Sequence, residues 1–348
     1  MVSSLPGQDG LHWGLSLPNR GILFGAISVG ELLDLAQAGE DSGFFGSVWI
    51  GDSMLDRPRV DSIPLLGALS TVTKRVWLGV SCFASFVVRH PIELAIQWAS
   101  VDILAGGRTV WIACLGGGVA RELEPFGIPR RDRVPRLVEG LELIKRFWTE
   151  DRVDYEGRFF RFHGVSVEPK PARKPRPPIW LAVTPDDSQL PSETVDRALI
   201  RALEHADGWQ GGDTDAEHIG RLCRRLRALR EEGRGSAGFF PCSTHVHITI
   251  DDDRRRAWET SVSYFRNYYP EDFISGAGAL PDELIQRFHT WGTPEECAKG
   301  LLRFVTAGCS VIIIRFAADN QTHQLKRFLS EVAPILRRHV PHSGNVME

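Results

Sequence analysis

The chain has 348 residues, 43% of them hydrophobic, enough to bury a sizeable core as two ordinary domains or one larger barrel. Its 41 basic and 44 acidic residues leave a formal net charge of -3, which gives no electrostatic footprint for nucleic acid or an anionic membrane and points to a small-molecule partner. Six cysteines without a C-x-x-C pair, no apolar run of about 18 residues, and no charged-then-apolar leader in residues 1–10 predict reduced thiols in a cytoplasmic protein with no membrane span.

Residues 13–17 read as a first strand with the turn 18–21 at its upper end, and Ser28-Val29-Gly30-Glu31 has the form of a capping box opening a helix. A second strand, 45–50, ends at Asp52-Ser53, and a helix over 64–73 leads to a third strand at 76–82. The Gly106-Gly107-Arg108 turn then feeds residues 109–114, too short and too β-branched for a helix, which empty into Gly116-Gly117-Gly118. Val134, Leu137, Val138, Leu141 and Ile144 recur beyond it at helical spacing. This is a βα unit with its glycines at the strand's carboxyl end, where parallel α/β folds hold ligands. A dinucleotide fingerprint fits poorly, because the G-x-G-x-x-G spacing is missing and Pro125 and Pro129 intervene before the helix.

Residues 155–162 and the proline-rich 168–178 predict a hairpin and an extended connector, one of two insertions, near 155–178 and 268–280. The second is either a lid over the barrel mouth or a plain surface loop. Strand and helix alternate again from 179, with Val195, Ala198, Leu199, Ala202 and Leu203 at helical spacing. His245 and His247 alternate with Val246, Ile248 and Ile250, a pattern that aims both inward as hydrogen-bonded core histidines. Thr293-Pro294-Glu295-Glu296 is a second capping box, followed by a buried strand at 310–314 and a closing helix over 321–338. Eight such units predict an α/β (β/α)8 TIM barrel with insertions, a single domain over 1–348. No metal site stands out among the 11 histidines, and no G-x-S-x-G elbow is present.

Gly107-Arg108, the glycine loop, Glu122, Phe126-Gly127, Arg133 and Glu139 occur in an order that resembles the luciferase-like monooxygenase superfamily of flavin- and deazaflavin-dependent barrels. Arg89-His90-Pro91 upstream, and Pro177-Pro178-Ile179-Trp180-Leu181-Ala182, Ala206-Asp207-Gly208-Trp209 and Gly292-Thr293-Pro294-Glu295-Glu296 downstream, extend the similarity over most of the chain. The resemblance implies an oxidoreductase that transfers hydride between coenzyme F420 and a small organic substrate. An FMN-dependent monooxygenase is the alternative, and a barrel without cofactor, serving in binding or structure, is the third reading. It implies a non-proline cis peptide at Ser81-Cys82, and it places Asp52, Ser81, Cys82, Gly116, Gly117, Gly118, Arg121, Thr184, Gly211, Gly212 and Arg315 at the cofactor. Ser53 takes the catalytic position at the end of the second strand. A deazaflavin sugar-phosphate dehydrogenase of this superfamily has a histidine there and a glutamate in the fourth loop. Ser53 and Gly118 in their place argue against sugar oxidation and leave hydride transfer in the style of the methylenetetrahydromethanopterin reductases, or flavin oxygen chemistry. Arg315, after four β-branched residues at a strand terminus, needs an anionic partner, expected to be the cofactor phosphate, with Glu122 as the alternative. Tryptophans on the barrel helices make a homodimer an expectation.

Overall fold

The computed structural model describes residues 4–116, 119–212, 214–268 and 282–339. The strands are β1 (His12–Ser16), β2 (Ser47–Asp52), β3 (Trp77–Phe83), β4 (Thr109–Ala113), β5 (Val153–Glu156), β6 (Arg161–Val165), β7 (Ile179–Ala182), β8 (Gly208–Gly211), β9 (Cys242–Ile250), β10 (His289–Gly292) and β11 (Val311–Phe316). Eight of them form a closed parallel barrel in the order β1-β2-β3-β4-β7-β8-β9-β11, sealed where β11 pairs with β1. The predicted (β/α)8 TIM barrel is therefore what the chain forms. β5 and β6 are the expected hairpin, antiparallel and apart from the barrel sheet. β10 was not anticipated; it runs parallel to the upper half of β9, with His289 opposite His247.

Around the barrel lie α1 (Val29–Asp41), α2 (Ser62–Val72), α3 (Pro91–Leu104), α4 (Arg133–Thr149), α5 (Ser192–His205), α6 (Ala216–Glu231), α7 (Arg254–Tyr268), α8 (Asp282–Phe288) and α9 (Pro294–Thr306). Both predicted capping boxes close: Ser28 and Thr293 each accept from, and are answered by, the glutamate three residues on. The closing helix arrives in two parts, α10 (Gln321–Arg327) and α11 (Ala333–His339), joined by a π-helical turn at Phe328–Val332. Of the second insertion, residues 269–280 lie outside the described residues. Among the described residues no helix is long and apolar enough to cross a membrane.

Packing explains why the barrel is filled below its mouth. Trp49, Val110, Ile112, Trp180, Val311 and Ile313 form a buried interior cluster, while a second layer lies between strands and helices. The Trp49 indole needs room from both neighbouring strands, and glycines supply it: a Cβ on Gly14 or Gly79 would lie 2.5 or 2.4 Å from that ring. Of the tryptophans on the barrel helices, Trp98 and Trp148 are fully buried and Trp258 is half-buried. At the lower end, Glu40 accepts the backbone N–H groups of Lys74, Arg75 and Val76 at 2.7 to 3.0 Å, tying α1 to the start of β3.

Candidate active site

The carboxyl ends of β2, β3, β4, β7, β8, β9 and β11 open onto one cavity of about 530 Å³. Its first wall is the turn after β2. Asp52 is buried and accepts from Ser62 Oγ and the Ser85 N–H, both at 2.8 Å, with the Arg89 guanidinium 3.8 Å away. Burial raises its pKa above the ordinary aspartate value, against the pull of Ser85, Arg89 and Ser62. Ser53 donates to Glu122 Oε2 at 3.2 Å and accepts the Arg57 N–H at 2.9 Å. Glu122 also accepts the N–H groups of Met54, Leu55 and Asp56 at 2.7 to 2.9 Å. Burial disfavours its charge, but these donors outweigh it and hold the carboxyl below the usual glutamate range. Glu122 is thus fully engaged by the β2 turn, which corrects the alternative that paired it with Arg315.

The second wall is built by β3 and β4. The Ser81-Cys82 peptide is cis, as the resemblance implied, and the register of both flanking strand pairs shifts beside it. Gln210 Nε2, on β8, donates to Ser81 Oγ at 2.8 Å and so bridges the cavity. Cys82 Sγ and Cys114 Sγ are 2.6 Å apart, and all six cysteines are free. The hydrogen bond to Cys82, with burial, pushes the Cys114 thiol well above its ordinary value. Gly116 turns with φ of 73°, and a Cβ there would come within 3.0 Å of the Ala84 carbonyl. Just beyond β7 and β8, Thr184 Oγ1 accepts the Gly212 N–H at 3.0 Å, and a Cβ on Gly212 would meet nothing within 4 Å.

The third wall is polar. Arg315 was expected beyond the end of its strand, but β11 runs on to Phe316 because the nine-residue β9 supplies partners as far as Ile248. The guanidinium therefore points into the barrel, where Nε and Nη2 donate to Ser16 Oγ at 3.1 and 2.7 Å, and Nη2 to the Leu17 carbonyl at 2.8 Å. His245 and His247 line the same wall. Both face inward as expected, but not as hydrogen-bonded core residues: among the described residues His245 Nε2 and both His247 nitrogens are buried without a hydrogen-bond partner. Burial, assisted by the Arg315 charge, pushes His245 down to about 3 and His247 well below the ordinary histidine value.

A family model for luciferase-like monooxygenases matches residues 12–310. The chain belongs to the luciferase-like monooxygenase family. It is 36% identical over 330 residues to the F420-dependent glucose-6-phosphate dehydrogenase of Nakamurella multipartita, covering 88% of this chain and 92% of that protein. To the enzyme of the same name from Kineococcus radiotolerans it is 27% identical over 330 residues, covering 88% and 93%. An F420-dependent secondary alcohol dehydrogenase solved in complex with an F420-acetone adduct shares the fold, with a TM-score of 0.78 at 15% identity over 94% of this chain and 99% of that one.

Of the residues that the luciferase-like resemblance assigned to the site, Asp52, Ser53, Ser81, Cys82, Gly116, Thr184, Gly212 and Arg315 line the cavity together. Gly211 does not: a Cβ there would point at Ile219 and Trp209, the helix side of β8. Arg121 is exposed and outside the cavity wall, and Gly117 and Gly118 lie outside the described residues. Sequence reasoning missed Gln210 and Cys114, whose inward direction follows from strand alternation with Gly208 and Ile112, and it missed Arg57 and Arg59 at the mouth. Among the described residues no group of three or more His, Cys, Asp or Glu side chains is arranged to hold a metal ion.

Proposed function

We propose that the chain is an oxidoreductase that exchanges hydride between coenzyme F420 and a small organic substrate at the mouth of the barrel. The observation that carries this reading is the cavity at the carboxyl ends of the strands, lined by Ser81, Cys82, Thr184, Gln210 and the unobstructed backbone of Gly212, whose volume falls within the range of cofactor sites. The names of relatives matched over most of both chains support F420 in particular. A deazaflavin bound there supplies the hydride-carrying carbon. The residues present fit such a group. Gln210 fixes Ser81 against the slot, and the Thr184 hydroxyl, having accepted from Gly212, keeps its proton to donate to a ring edge. Arg57, Arg59 and Arg133 line the mouth, where a phosphate chain would leave the barrel. Phe265 and Phe288 close one side and exclude water.

Ser53 is a positioning residue in this reading. Its hydroxyl is committed to Glu122 and its oxygen to the Arg57 N–H, so it holds the β2 turn and is not disposed to move a proton. Serine where the sugar-phosphate enzymes of the superfamily have histidine argues against glucose 6-phosphate as the substrate. The six free thiols support a reducing, cytoplasmic setting. Parallel absorbance titrations with F420 and FMN test the proposal. Tighter binding of F420 is expected; a preference for FMN replaces it with the flavin monooxygenase reading, and binding of neither refutes a redox function.

A further inference from the structure

The β9–β11 wall contains polar atoms that the cofactor reading leaves unused. His247 lies directly opposite Arg315 in register, and Ile313 opposite His245, so the two imidazoles and the guanidinium project from one face of adjacent strands. The imidazole rings stand perpendicular with centroids 4.7 Å apart. Arg315 is 4% exposed, and its partners, Ser16 and Leu17, offer only neutral oxygens. Among the described residues no carboxylate pairs with it. A buried charge without a counter-charge is unfavourable, and so are three buried imidazole nitrogens without hydrogen bonds. An anion seated between the guanidinium and the rings answers the charge and accepts one N–H from each imidazole, leaving only the acceptor nitrogen of His247 unpaired.

The charge of that anion is set by the histidines. Burial, with the Arg315 charge adding to it, keeps both imidazoles neutral near pH 7, so each offers one N–H and the wall carries a single positive charge. A carboxylate matches that charge; a phosphate monoester dianion brings a second negative charge that this wall does not balance. Phe265 and Phe288, with ring centroids 4.9 and 5.7 Å from His247, present an apolar surface to whatever the carboxylate is attached to. Arg57, Arg59 and Arg133 line the mouth, so a cofactor phosphate leaving there does not require Arg315.

We propose that Arg315, His245 and His247 form a monoanion subsite that takes the carboxylate of an apolar organic acid, the substrate of the hydride-transfer site. This rests on the reading of the cavity as an F420 site. The test uses the F420-loaded protein at pH 7.5, titrated with hexanoate, hexanamide and inorganic phosphate, with protein fluorescence and thermal midpoint as readouts. Hexanoate is expected to bind at least tenfold more tightly than hexanamide or phosphate. Arg315→Gln should weaken hexanoate by about ten- to a hundredfold, the equivalent of one charge-assisted hydrogen bond, and leave F420 affinity within twofold. Arg315→Lys, which retains the charge but not the fork, should keep part of the hexanoate affinity, and this serves as the folded control if the glutamine variant is unstable. His247→Asn should weaken hexanoate severalfold. Equal binding of acid and amide, phosphate bound as tightly as hexanoate, or an Arg315→Gln loss that falls on F420 would overturn the subsite. Repeating the hexanoate titration without F420 separates the two readings: a protein that binds the acid but not F420 refutes the cofactor assignment, and one that binds F420 but not the acid refutes this inference.

Discussion

Lowering the pH from 7.5 to 5.5 should remove about 4 kcal/mol of stability, and three buried histidines are the main cause. Burial pushes His245 and His289 from 6.5 down to about 3, and His247 well below its ordinary value, with Arg315, His245 and His289 adding like-charge repulsion. In the unfolded chain each imidazole titrates near 6.5, so at pH 5.5 it is about ten parts protonated to one neutral, whereas in the fold it stays neutral. The folded pKa is depressed, so the contribution is complete above about 6.5 and is lost as the pH falls from there toward 3. By pH 5.5 each group has lost RT ln 11, a little over about 1 kcal/mol. Glu40, Glu122 and Asp207 have lowered pKa values and lose their contributions only below the ordinary carboxylate range, outside this window. Asp52 and Asp102, raised by burial, act in the opposite sense, whereas His90 and His205, lowered by partial burial, act in the same sense as the three buried histidines. Urea unfolding at pH 7.5, 6.5 and 5.5 reads the slope directly, and His289→Asn should remove about a third of it. A stability that is flat across the window, or uptake of less than one proton on unfolding, refutes the reasoning.

Gly79→Ala should lower stability by about 1 to 3 kcal/mol in chemical denaturation, because the new Cβ would sit 2.4 Å from the Trp49 ring and 2.8 Å from the Val110 carbonyl, both buried. Gly212→Ala has open space and should leave the thermal midpoint unchanged while weakening F420 severalfold; unchanged affinity would remove Gly212 from the cofactor wall. Glu40→Ala strands three backbone donors at the barrel's lower end and should cost about 2 to 4 kcal/mol without altering F420 affinity, since the cavity opens at the other end. A loss of affinity without a loss of stability would contradict that separation of ends.

Much of this architecture was legible because its signals are local. Ser28 and Thr293 cap their helices by contacts within three residues, and β-branched runs such as 311–314 mark buried parallel strands wherever they fall. The site residues on β2, β3 and β7 came from a resemblance in motif order, and strand alternation then places them. What local pattern lacks is the partner strand. Whether β11 ends before or after Arg315 depends on the length of β9, about 70 residues earlier, and that decides whether a guanidinium faces a loop or the barrel interior. The same limit hid β10, whose four residues are a strand only because β9 projects beyond β8. His245 and His247 were legible as inward-facing, but alternation does not say whether the space they face is packed or open.

Glu122 gives the mouth of the barrel a mechanical property. It belongs to the segment after β4, yet its carboxylate terminates the turn after β2, receiving three amides and a hydroxyl. Residues 53–56 and 119–123 therefore cannot part gradually: displacing one carboxylate releases four donors at once, and reseating it recaptures them together. In hydrogen–deuterium exchange the amides of Met54, Leu55 and Asp56 should open as a set, at one rate, and slow together whenever a ligand holds the segment after β4 in place. Two loops separated by more than 60 residues would then register occupancy of the cavity as a single latch.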